Sequence, residues 1–389
     1  MAALNPNLLD TGTPPIPEAQ GWTRSYTGDR GPLIDLSQAV PGYPPHPEML
    51  ARLAAAAGDV RSAGYGSIFG DDALREAYAA HATALYGAPI RPGETAVTAG
   101  CNQAFVIALM ALAKAGDTVL LPSPWYFNHE MTCRMLGVEA RPLPCSAETG
   151  FVPDPEAAEA LIDDRVKAIV LITPNNPTGA VYPPETLARF AALCRRRNIW
   201  LVVDETYRDF LEGAHQRPHG LFAEPGWRDV LIGLYSFSKS YCVPGHRLGA
   251  VTAGEAVIAQ IGKVLDCIQI CPARAGQTAL TWAIGALDDW REANRREIAA
   301  RAAAFRAAFA QLPGWRIDSM GAYFAYVAHP FAGVAAPAVS RRMAERRGVL
   351  ALPGGFFGAG QDGHLRVAFA NADAAAIAEL PGRLEGLAV

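Results

Sequence analysis

A chain of 389 residues, half of them hydrophobic and 19% charged, is long enough for one large domain and a smaller one. Its formal net charge of −4 supplies no basic field to recruit nucleic acid or an anionic membrane. No apolar run approaches the ~20 residues that span a bilayer, and the first residues lack a basic segment followed by an apolar one, so a cytoplasmic protein is expected. Seven scattered cysteines without a Cys-x-x-Cys pair read as reduced thiols, and no metal site is expected.

Residues 1–46 are rich in proline and glycine and show little periodicity. They read as an irregular arm with a short strand at 33–36, leading into the Ser37-Gln-Ala39-Val-Pro turn. A helix is predicted over 47–57. The glycine-rich turn at 64–70 then enters a helix running to about Tyr86. Its glycines miss the dinucleotide fingerprint by one residue and follow no clear strand, so that reading fails. Tyr65, taken by itself, is a turn aromatic.

Residues 94–114 pass from a short strand through Gly100 into an alanine-rich helix. The small residues at its start, Cys101 and Asn102, leave backbone N–H groups free at the positive end of the helix dipole, an anion site that many such turns share. A buried strand over 117–122 ends at Ser123-Pro-Trp125-Tyr126, whose aromatics belong either to the core or to a ligand.

A continuous apolar strand begins at 168 and runs into Thr-Pro-Asn175-Asn176-Pro-Thr-Gly179, a turn stiffened by Pro177 and relieved by Gly179. After a helix over 184–197, the strand 199–204 ends in Asp204. A carboxylate there needs either a cationic partner or a helix to cap, because an unpaired buried charge is costly. Tyr207 lies three residues on. The strand opening 231–249 breaks into Ser236, Ser238 and Lys239, with Arg247 eight residues further. An amine beside small hydroxyls and a guanidinium suits a ligand carrying an aldehyde and a phosphate, although a lone lysine at a strand end is commonly just exposed.

Strands and helices alternate from 95 to 239, which predicts an α/β fold with a mostly parallel sheet. Helices follow over 255–266 and 273–309, the second arginine-rich and long enough to bridge two domains. Residues 314–389 read as a small α/β domain: strand 323–327, helix 335–347, a strand from 349 turning at Gly354, and a strand over 363–370 carrying Arg366. Neither Gly-x-Ser-x-Gly, a P-loop, His-Glu-x-x-His nor an EF-hand loop occurs.

Ser236-x-Ser238-Lys239 followed by Arg247-x-Gly, together with Asn176-Pro-Thr-Gly, Asp204-x-x-Tyr207 and Arg366-x-x-Phe-Ala, resembles the fold-type I, class I/II pyridoxal-phosphate aminotransferases over nearly the whole chain. The resemblance implies a large domain with a mostly parallel sheet flanked by helices (47–275), and a smaller α/β domain built from the arm (1–46) and the C-terminal segment (276–389). It implies pyridoxal 5′-phosphate held as an internal aldimine on Lys239. Gly100, Cys101, Asn102, Ser236, Ser238 and Arg247 would cradle the phosphate. Tyr126 would stack on the ring, Asn176 and Tyr207 reach its phenolic oxygen, and Asp204 hold its nitrogen protonated.

Arg366 would fork the substrate carboxylate, with Asn176 and the arm at Ala39 beside it. Ala39 stands where the family carries glycine. Tyr65 would cross a homodimer interface to the neighbouring phosphate. An L-amino acid and a 2-oxo acid would exchange the amino group by ping-pong kinetics, with Lys239, Asp204 and Tyr207 catalytic. A C–S lyase or synthase on the same scaffold shares these motifs and is the alternative. A non-catalytic pyridoxal-phosphate sensor fits poorly, since 1–46 leaves no room for a DNA-binding domain.

Overall fold

The computed structural model describes residues 2–213 and 217–389. Its centre is a seven-stranded sheet in the order Thr95–Thr98, Gly249–Thr252, Leu231–Ser236, Trp200–Asp204, Val166–Ile172, Thr118–Ser123, Glu139–Pro144. Gly249–Thr252 runs antiparallel to both neighbours, and the other pairings are parallel. Helices cover both faces, so the inner strands are buried except at Lys167 and Trp200 and read as largely continuous apolar runs. In register, Ile172 lies beside Asp204 and Asp204 beside Leu234. The strands therefore finish side by side, and their following loops meet along one sheet edge, where sites of parallel sheets form.

A second sheet, antiparallel, has the order Leu352–Pro353, His364–Val367, Phe324–Ala328, Arg316–Gly321. The arm joins this half of the molecule: Ile34–Asp35 pairs in parallel with Val349–Leu350. Ile34 and Leu36 share a core cluster with Phe305, Phe309, Val349 and Leu365. Among the described residues no helix is long and apolar enough to cross a membrane.

Several helices begin and end where local chemistry dictates. Pro47–Ala57 and Pro184–Arg197 each open on a proline at the first helical position, where its missing N–H costs nothing. Asn198, at φ 54°, closes the second in the left-handed region.

Three expectations need correction. The arm contains two helices, Pro6–Leu9 and Pro15–Trp22; both start on proline, and the proline content that suggested coil marks helix starts instead. The predicted helix 273–309 is two, Arg274–Ala286 and Asp288–Phe309, broken at Leu287 (φ −112°, ψ 22°). Asp288 and Asp289 favour a new N-terminus there through the helix dipole. The strands Glu139–Pro144 and Arg316–Gly321 escaped the sequence reading because each is a sheet edge, and their partly exposed residues carry no continuous apolar run.

Candidate active site

At the edge where the strands end, a cavity of about 200 Å³ is lined by Ala39, Cys101, Asn102, Tyr126, Asn176, Asp204, Tyr207, Ser236, Ser238, Lys239, Arg247 and Arg366. Twelve of the fourteen residues singled out from the sequence thus converge on one space. Gly100 stands just behind the lining. It precedes the Cys101–Leu112 helix at φ 84°, and a Cβ there would run into the Arg247 guanidinium. Tyr65 is 80% exposed and touches no part of this cavity within the chain. Trp125 is also absent from the lining; its backbone N–H donates to Phe357 O at 2.8 Å instead.

Ser236 ends its strand and caps the short helix Phe237–Ser240, its Oγ accepting from Ser238 N–H at 3.3 Å. That turn places Lys239 on the cavity wall, its amine donating to the carbonyl of Ala39. Burial, and then the cations of Arg247 and Arg366, push the Lys239 amine down to about 8. Ser238 Oγ is buried with no hydrogen-bond partner among the described residues. Arg247, with φ 51°, donates to the carbonyls of Pro244 at 3.0 Å and Ala99 at 3.3 Å, which holds its guanidinium over Gly100. An unpartnered hydroxyl, a guanidinium and a helix N-terminus make one end of the cavity a cradle for a dianion.

The opposite character is found at Asp204, which is 4% exposed. Its Oδ1 accepts from Thr206 N–H at 2.9 Å and Thr206 Oγ at 2.7 Å. Its Oδ2 faces His129 Nε2 at 3.5 Å. Burial pushes the His129 imidazole down to about 3, so the ring is neutral and lends no charge. Burial also pushes the Asp204 carboxyl up, the state of a carboxylate lacking a cation. A protonated ring nitrogen would supply one. The two phenols, Tyr126 pushed up to about 12 and Tyr207 well above its ordinary value by burial, stay protonated as donors.

Arg366 is 1% exposed and lies between the rings of Phe324 and Phe357, 5.1 and 5.0 Å from their centroids. Its Nη1 donates to Asn176 Oδ1 at 3.1 Å, its Nη2 to the Ser37 carbonyl, and its Nε has no partner among the described residues. The adjacent Asn175 does different work. It accepts from Thr178 N–H at 3.1 Å and donates to Tyr182 Oη at 3.0 Å, building the turn that presents Asn176.

Thr206, His129, Gln38, Ile16 and Phe127 belong to the site or its backing and were not singled out from the sequence. Thr206 had a signal, since a hydroxyl two residues after a strand-end aspartate suits an Asx-type turn. Gln38 and Phe127 adjoin the singled-out Ala39 and Tyr126 without a signal of their own, and His129 and Ile16 are single residues on helices with no motif around them.

The fold and this donor set define an enzyme site built around a half-buried lysine amine. A family model described as Aminotransferase class I and II matches residues 32–384; the chain belongs to this family and is an enzyme of the pyridoxal-phosphate-dependent aminotransferase class. It is 32% identical over 309 residues to an arginine–pyruvate transaminase of Pseudomonas aeruginosa, covering 78% of this chain and 77% of that one. It is 31% identical over 353 residues to a probable aspartate/prephenate aminotransferase of Thermus aquaticus, covering 88% of both. The aspartate aminotransferase of Thermus thermophilus, solved with maleate, superposes with a TM-score of 0.90 at 26% identity over 100% of each chain.

Proposed function

We propose that this chain holds pyridoxal 5′-phosphate in the Lys239 cavity and exchanges an amino group between an L-amino acid and a 2-oxo acid by ping-pong kinetics. One observation carries the proposal: Lys239, Asp204, Asn176, Arg247 and Arg366, from separate stretches of sequence, line one cavity of about 200 Å³. When bound, the cofactor supplies an aldehyde that exchanges between amines and a ring that withdraws electrons from the α-carbon.

The residues divide that work. Gly100, Cys101, Asn102, Ser236, Ser238 and Arg247 hold the phosphate, and the orphaned Ser238 Oγ gains its partner. Tyr126 covers the ring. Asp204, oriented by Thr206, keeps the ring nitrogen protonated. Asn176 and Tyr207 donate to the phenolic oxygen. Arg366 receives the substrate carboxylate as a planar fork, beside Asn176 and the backbone at Ala39. With the cofactor bound, the Lys239 amine would be the group that takes the proton from the substrate α-carbon and returns it to the cofactor side. An amine pushed down to about 8 is matched to that task near neutral pH.

The same reading keeps the division into an arm (1–46), a large domain (47–275) and a C-terminal small domain (276–389); the two separate sheets support it. It also makes the protein a cytoplasmic homodimer, and the exposure of Tyr65 supports its reaching the partner's phosphate.

The test is an absorption spectrum of the purified protein with pyridoxal phosphate, followed by single amino acids without an acceptor. Loss of the long-wavelength band, with stoichiometric release of the matching 2-oxo acid, is expected and names the donor. Failure to bind the cofactor, or ammonia released with no acceptor present, would sink the proposal.

A further inference from the structure

An open surface depression of about 430 Å³ shares no residue with the Lys239 cavity. Four arginines line it. Arg342, Arg346 and Arg347 come from the helix Ala336–Arg347, and Arg30 comes from the arm. Asp29 is the one acidic side chain on the lining. Their neighbours Arg341 and Arg383 are paired with Glu345 and Glu379, whereas among the described residues none of the four makes an ion pair.

Side-chain hydrogen bonds tie the segments of this cluster together. Arg383, 5% exposed, donates Nη1 to the carbonyl of Arg347 at 3.2 Å and to Tyr26 Oη at 3.3 Å. Tyr26 Oη donates to Gly31 O at 2.8 Å and accepts the Arg30 backbone N–H at 3.2 Å. Arg347 Nη2 is tied down on the Gly386 carbonyl at 2.6 Å. The turn carrying Arg30 and the helix end carrying Arg347 are therefore joined through the Arg383 guanidinium and the Tyr26 phenol. Arginines in a last helical turn suit the helix dipole, which accounts for Arg346 and Arg347. It does not account for Arg30, brought from another segment into like-charge company. Burial and the nearness of Arg30 together lower the Arg347 guanidinium from its ordinary value.

We propose that this open depression is a binding site for a small polyphosphate-type anion, distinct from the cofactor cradle. Guanidinium forks match phosphate oxygens two at a time, and four cations against one carboxylate call for more charge than a single carboxylate ligand brings.

The experiment titrates inorganic pyrophosphate into the holoenzyme by calorimetry at fixed ionic strength, with excess pyridoxal phosphate keeping the Arg247 cradle filled. Saturable binding at one per chain is expected. The Arg342→Gln/Arg346→Gln double variant should weaken it about tenfold or more, and Arg30→Gln alone should weaken it measurably. Transamination without pyrophosphate should be unchanged in both. No saturable binding, or equal affinity in the double variant, would overturn the proposal. Equal affinity in Arg30→Gln would overturn the assignment of the arm to the site.

Discussion

Arg366 Nη1 donates to Asn176 Oδ1 at 3.1 Å, joining residues 190 positions apart in the chain. Asn176 sits in the loop after a central-sheet strand, and Arg366 in the middle of the antiparallel sheet. The bond is the point at which the two sheets share one site. Replacing Arg366 by lysine keeps the charge and loses the fork. Charge-assisted bonds of this kind contribute about 1.5–3 kcal/mol, so Arg366→Lys should lower kcat/KM for the amino acid by ~10–100-fold, chiefly through KM, as steady-state kinetics would show.

The same junction depends on two glycines. A Cβ on Gly179 would collide with Phe324 O and Gly321 N, and one on Gly321 with Gly179 O. Gly321→Ala must push the Asn176 loop away from the sheet bearing Arg366. A stability loss of about 1–3 kcal/mol is expected from such overpacking, with a raised KM. Denaturant melts and substrate titration on one preparation would check both.

On the proposed reading, Lys239→Ala removes both the anchoring amine and the proton carrier. Turnover should fall by ~10³-fold or more, while the phosphate cradle still retains cofactor at reduced affinity. Equilibrium dialysis beside an activity assay separates the two effects. Wild-type-like turnover would remove the lysine from the chemistry.

Asp204→Asn preserves shape and can still accept from Thr206 through Oδ1, but on the proposed reading it could not hold the cofactor's ring nitrogen protonated. A fall in kcat of ~10²-fold is expected from losing that electrostatic support, with near-native thermal stability. A proportionate fall in stability would mark Asp204 as structural.

The Lys239 amine, pushed down to about 8 by burial and by Arg247 and Arg366, has an ordinary value of 10.5. Between those values the folded chain has released the proton that the unfolded chain still binds, so this group's contribution to stability rises with pH there. The rate at which cofactor-free protein takes up pyridoxal phosphate should rise with pH through about 8. In Arg247→Gln one repelling cation is gone, and the midpoint of that profile should move upward. An unmoved or lowered midpoint would contradict the arrangement.

Legibility tracked the kind of element. Asn176, Asp204 and Ser236 follow or end buried strands whose apolar runs are plain in the sequence, and each sits in a short motif with turn residues around it. His129, on the helix Phe127–Met135, has no such context. Its place beneath Asp204 and against the Phe105 ring, at a centroid distance of 3.9 Å, follows from how two helices pack over the sheet. Gln38 and Ile16 lie on the arm, whose position is set by the pairing of Ile34 with Val349, a contact no local pattern announces.

By itself, the sequence determined which residues could carry the chemistry. Strand-end motifs are short-range devices: a buried apolar run, a turn and one polar residue specify where a side chain must emerge. Only the tertiary structure decided which of those side chains share a cavity, that the Lys239 amine feels the charges of two guanidiniums, and that the carbonyl of Ala39 faces it. Those properties depend on the dielectric surroundings and on distances between segments far apart in the chain, and these exist only once the two sheets and the arm have closed on one another.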